Sequence, residues 1–96
     1  MRTRMSRQAE MDLADITDFI ARDNPARAFK FEEELIEHAR KIARAPLAYV
    51  ERPDLGSRLR CCTHGAYLIF FTLGDRGVRI ERILHGSRNL GRILNE

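Results

Sequence analysis

Four side chains of this sequence could together cleave RNA without a metal: His85, Arg60, Arg82 and Tyr67. That reaction needs a base for the 2′-hydroxyl, a cation for the charge developing on the phosphate, and an acid for the leaving oxygen. His85 is an acid or base near neutral pH, Arg60 and Arg82 are phosphate forks, and Tyr67 can stack on a base or donate a proton. Each also has a plainer reading. His85 stands at a predicted strand end before Gly86, where its ring can bond a neighbouring backbone group. Arg60 and Arg82 can pair with Glu81 or with carboxylates of a partner; exposed pairs contribute about 0–1 kcal/mol. Glu81 is the nearest carboxylate to His85, and it forms no evident acid–base pair with it. A metal site is a poor fit, because Cys61, Cys62 and His64 lack the C-x₂-C spacing. Adjacent strand residues face opposite ways, so the two cysteines read as strand residues and not as a disulfide. No cofactor is implied.

Three strands must carry these groups. The first runs from about Arg58 to Cys62, with His64-Gly65 as a turn signal. The second, Ala66 to Leu73, is apolar on both faces: Tyr67, Ile69 and Phe71 on one, Leu68 and Phe70 on the other. Gly74-Asp75-Arg76-Gly77 closes a hairpin. The third strand starts with Val78 and Ile80 on one face, and its alternation then breaks at the adjacent Ile83 and Leu84. A β-bulge near Arg82 explains the slip. His85-Gly86 ends the strand, and Leu90, Ile93 and Leu94 form a short helical tail.

Upstream, a short strand within Arg2–Met5 is followed by Ser6, a helix N-cap. Ala9, Leu13, Ile16 and Ile20 then recur at helical spacing to about Arg22. Asn24 caps a second helix that opens with Pro25. Its stripe is Ala28, Phe31, Leu35, Ala39 and Ile42, widened by Phe29, Ile36 and Ala43, and it stops at Pro46. The segment from Pro46 to Ser57 reads as an irregular loop with Tyr49 as an anchor. The result is one α+β domain over residues 1–96: an antiparallel helical hairpin on a small, mainly antiparallel sheet, with a short helical tail.

The 44% apolar and 32% charged content is that of a folded globular chain. No apolar stretch is long enough to span a membrane, and no signal core follows the basic first residues; a cytoplasmic location is expected. The net charge of +3 is unevenly spread. Residues 55–96 hold seven basic groups, all arginines, against three acids. That half favours an acidic protein or a nucleic acid, unless it is simply a solvated basic face. The helices cover one sheet face. The other needs a cover, either a second chain or the loop at 46–57 with the tail. A partner chain is the expected cover.

Several segments in order resemble the ParE branch of the ParE/RelE toxin superfamily. They are Ala9, Asp12-Leu13 and Ile16; Asn24-Pro25 with Ala28; Pro46; Arg52-Pro53-Asp54-Leu55-Gly56 leading to Leu59-Arg60; Tyr67-Leu68-Ile69-Phe70-Phe71; and Ile80-Glu81-Arg82-Ile83-Leu84-His85-Gly86-Ser87-Arg88-Asn89. Asn89 departs from the aspartate often found there. The resemblance implies a toxin neutralised by a small ParD-like antitoxin whose acidic C-terminal segment wraps it. It implies DNA gyrase as target, with no catalysis required. The relatives that cleave mRNA at the ribosome supply the alternative, and an inactive toxin kept as a binding module is a third. The antitoxin is expected at Arg60, Arg79, Arg82, Leu68 and Phe70, and the target at Arg88, Leu90, Ile93 and Leu94.

Overall fold

The computed structural model describes residues 2–95. Its elements are β1 (Thr3–Met5), α1 (Arg7–Ala21), α2 (Pro25–Arg44), β2 (Val50–Glu51), β3 (Arg60–His64), β4 (Tyr67–Gly74), β5 (Gly77–His85) and α3 (Leu90–Leu94). The sheet order is β1-β5-β4-β3-β2. Every pairing is antiparallel except β1 with β5. The architecture is α+β, with the helical hairpin on one face.

Both helices start where their caps predict. Ser6 Oγ accepts from the Ala9 N–H at 2.9 Å, and Asn24 Oδ1 accepts from the Arg27 N–H at 3.0 Å. Each bond satisfies a donor that the first turn leaves bare. The hairpin buries Ala9, Leu13, Phe31, Leu35, Ala39 and Ile42 against Ile69, Phe71, Val78, Ile80 and Ile83. Phe29 and Ile36 do not widen that stripe. They are 68% and 37% exposed, because they sit beside the buried Ala28 and Leu35, about 100° round the helix.

The segment after α2 is more ordered than its composition suggests. Pro46–Ala48 form a 3₁₀ turn. Val50 and Glu51 then add a two-residue edge strand opposite Cys61 and Arg60, too short to show alternation in sequence. Tyr49 is the anchor expected of it, its ring edge-on to Phe71 at 5.7 Å.

The second sheet face corrects an expectation. It is covered by the chain itself and does not wait for a partner. Phe70, Leu84, Leu55 and Leu59 are buried together, and Cys61, Leu68, Leu90, Ile93 and Leu94 pack against them. The loop can do this because it folds into a turn, with the Leu55 and Gly56 N–H groups both on the Arg52 carbonyl. The tail returns as α3, capped by Asn89 Oδ1 on the Arg92 N–H at 3.2 Å. Fully burying a side chain as large as Phe70 or Leu84 contributes roughly 1.5–3 kcal/mol, so this cover is held by the fold's own energetics.

His38 ties α2 to β3 through both ring nitrogens, its Nε2 lying 3.8 Å from Cys62 Sγ. His38 Nδ1 and His64 Nδ1 lie 2.9 Å apart, so one ring donates and the other must be unprotonated there. Burial holds both rings below the usual histidine range, and for His38 the neighbouring His64 charge adds to this. Glu34 opposes the shift at His64, while Arg27 reinforces it. A depressed folded-state value means stability is fully present above the unfolded value, about 6.5, and is lost as pH falls through the folded one. The urea midpoint should therefore fall between pH 7.5 and pH 5.5, and His38→Ala should flatten that dependence. An equal slope in both proteins would rule the pair out as its source.

Candidate binding surface

The bulge in β5 organises the site. Phe70 pairs with Arg82 and Phe71 with Ile80, which leaves Glu81 as the extra residue, one position from where the broken alternation puts it. β1 pairs with β5 only as far as Ile80, so beyond that point the β5 backbone needs other partners. The start of α1 supplies them. The Ser6 N–H donates to the Ile80 carbonyl at 2.8 Å and Ser6 Oγ to the Glu81 carbonyl at 2.7 Å. The Ile83 N–H donates to Asp12 Oδ2 at 2.9 Å. Arg82 then grips Asp12 with two bonds, at 2.8 and 3.0 Å.

Arg82 therefore clamps the fold, and it also lines the cleft on the second sheet face. Its side chain and that of Asp12 are only 20% and 12% exposed. Glu81 turns its carboxylate to the Thr72 hydroxyl at 2.7 Å and to Arg79 at 2.8 Å. Arg60 is not where the antitoxin reading needs it. It pairs in register with Phe71, on the helix-bearing face, whereas Arg79 pairs with Thr72 on the other. Its guanidinium donates to the Tyr49 carbonyl at 2.7 Å.

The four residues of the RNA-cleaving set do not converge. His85 and Tyr67 meet edge to face at 5.3 Å. Arg60 lies at the far end of β3, about 13 Å along the strand from Tyr67's partner His64, and Arg82 is bound to Asp12 on the opposite face. His85 takes the plainer role: its Nδ1 accepts from the Ser87 N–H at 3.1 Å and lies 2.7 Å from Ser87 Oγ, shaping the turn after β5. Burial pushes the Cys62 thiol up to about 12 and raises Cys61 as well, so neither is a ready thiolate. Among the described residues no cluster of three or more His, Cys, Asp or Glu side chains could hold a metal.

What the second face does present is a cleft of about 540 Å³. Leu55, Leu59, Ile93 and Leu94 give it an apolar floor, and Arg7, Arg79 and Glu81 stand at its charged rim. Sequence reasoning missed Arg7, Leu55 and Leu59 as surface-forming residues. The available signal was two leucines inside a loop otherwise rich in proline, glycine and charge.

The sequence matches the family described as the ParE toxin of the type II toxin–antitoxin system parDE, over residues 3–90. The chain belongs to the ParE toxin family. Among solved structures it is similar to one titled "Chromosomal ParDE TA system from P. aeruginosa". The TM-score is 0.77 at 22% identity, covering 88% of this chain and 95% of that one. At that identity the likeness speaks for the fold. No curated protein matches.

The expected contacts of this ParE-family toxin can now be placed. Phe70 is 0% exposed and cannot meet an antitoxin while the loop and tail are closed; Leu68 is half-buried in the same cluster. Leu90, Ile93 and Leu94 also turn inward, so the tail's exposed chemistry is cationic, at Arg88 and Arg92. Asp12 binds both a guanidinium and a strand N–H, and its loss removes three part-buried hydrogen bonds. Asp12→Ala should cost about 3 kcal/mol in urea unfolding, while Asp15→Ala should be near neutral. Equal, small effects would show that the clamp is not needed.

Proposed function

We propose that this ParE-family toxin arrests growth by binding DNA gyrase, and that an antitoxin silences it by laying an acidic, partly apolar segment in the cleft between α1, the loop at 55–59 and α3. The observation that carries the antitoxin reading is the cleft's composition. Apolar side chains anchor a bound peptide, and the rim arginines favour carboxylates beside them and fix register. Arg79 remains an antitoxin contact in this reading, with Arg82 beside it in the cleft wall; Arg60 and Phe70 do not.

The gyrase reading rests on the ParE-branch resemblance, and it is supported by the scattering of the candidate catalytic set. A toxin that acts by binding needs a surface and no assembled acid and base. Arg88 and Arg92 on the tail are the proposed target contacts, held outward by the same packing that turns Leu90, Ile93 and Leu94 inward.

The paired assay is direct. The purified chain should inhibit supercoiling by purified gyrase and leave mRNA intact on purified ribosomes. Arg88→Ala with Arg92→Ala should weaken the inhibition by tenfold or more at unchanged stability. Cleaved mRNA with untouched supercoiling would reverse the assignment. For the antitoxin, Arg79→Glu should weaken the complex at least tenfold, and an unchanged affinity would remove the cleft's rim from the interface.

A further inference from the structure

Four arginines from four separate segments line one open cleft at the β4–β5 hairpin end of the sheet: Arg4 of β1, Arg58 of the loop before β3, Arg76 of the hairpin turn and Arg79 of β5. The cleft is about 330 Å³, and Asp75 is the single acid in its lining. All four arginines are exposed. Arg79 pairs with Glu81. The guanidinium groups of Arg4, Arg58 and Arg76 make no ion pair or hydrogen bond to any described residue. Outside the cleft, Arg27, Arg40, Arg44, Arg52, Arg60 and Arg82 each have a carboxylate, whereas Arg2, Arg7, Arg22, Arg88 and Arg92 have no ion pair with a described residue but do not converge on this cleft.

Arg58 also sits at φ 60°, and it is the sole non-glycine residue with positive φ among those described. Glycine or asparagine adopts that conformation at less cost. An arginine held there projects its charge beside Arg76 and Arg79 from a backbone that would favour another residue.

We propose that this cleft binds the phosphodiester backbone of nucleic acid, independently of sequence. Guanidinium forks and the neighbouring Ser57 and Thr72 hydroxyls are the donor set that phosphate oxygens take. The lining has no aromatic side chain on which a base could stack. It also lacks an apolar floor: its one large apolar residue, Leu73, packs into the helix-side core. That separates it from the neighbouring cleft with Leu55, Leu59, Ile93 and Leu94, which suits a peptide. An acidic peptide would find charge here and no anchor, whereas a phosphate backbone needs charge alone. The inference does not rest on gyrase being the target, because it concerns different residues and a different ligand.

The test uses the full chain and a fluorescently labelled short duplex DNA of arbitrary sequence, followed by anisotropy across a salt series, with a single-stranded RNA as a second arm. Three to four contacts predict a slope of log K against log salt of about −3, at roughly −0.9 per phosphate neutralised. Arg58→Gln with Arg76→Gln should make that slope shallower by nearly 2 and lower the affinity at least tenfold at low salt. Arg40→Gln with Arg44→Gln removes the same charge from the outer face of α2 and should leave the slope unchanged. Binding to one arm or to both supports the proposal and says which nucleic acid is held. No binding to either arm at low salt would overturn it. So would an equal loss in the two double variants, or binding of polyglutamate but not of nucleic acid.

Discussion

A strand edge left without a neighbour must find partners for its backbone, and the outer edge of β5 beyond Ile80 is where this fold meets that demand. The solution is local and dense. Ser6 serves the Ile80 and Glu81 carbonyls while capping α1, and Asp12 serves the Ile83 N–H while Arg82 neutralises it. The helix start and the bulged strand therefore fix each other. Because the bulge shifts register by one residue, Ile83 continues the helix-side core and Leu84 goes to the second face. Without that shift Ile83 and Leu84 would exchange faces and Arg82 would point toward the helix-side core.

The same device divides the arginines by task. Arg82 and Arg60 hold backbone and carboxylates of their own chain. Arg79 is steered by Glu81 toward the junction of two clefts. Arg4, Arg58 and Arg76 are left to solvent and to ligands. A count of seven arginines in the C-terminal half says that an anionic partner is favoured, but only the register of β5 says which of them face it.

Most of the architecture is legible in the sequence, because its signals are local. Ser6 and Asn24-Pro25 mark helix starts, Pro46 marks an end, Gly65 and the 74–77 turn mark hairpins, and the adjacent Ile83 and Leu84 mark a bulge. The two-sided strand Tyr67–Leu73 reveals a second apolar face. What it does not reveal is who covers that face, since the answer depends on whether a loop and a tail of a few leucines can reach it. They do, through the Arg52 turn and the Asn89 cap. The site was less legible for the same reason. Arg60 and Arg82 look equivalent in sequence, yet strand parity puts them on opposite faces, and Asp12, seventy residues before Arg82, carries no sign in sequence that it is the arginine's partner.

The most direct test of the β5 clamp is native-state amide exchange at Ile83. Its N–H lies at the outer edge of the sheet and is held by a single carboxylate oxygen. If Asp12 and Arg82 close that edge as described, the Ile83 amide exchanges as slowly as the central β4 amides of Ile69 and Phe71, by global unfolding alone. An Ile83 amide that exchanges orders of magnitude faster than these, as in a fraying edge, would contradict it.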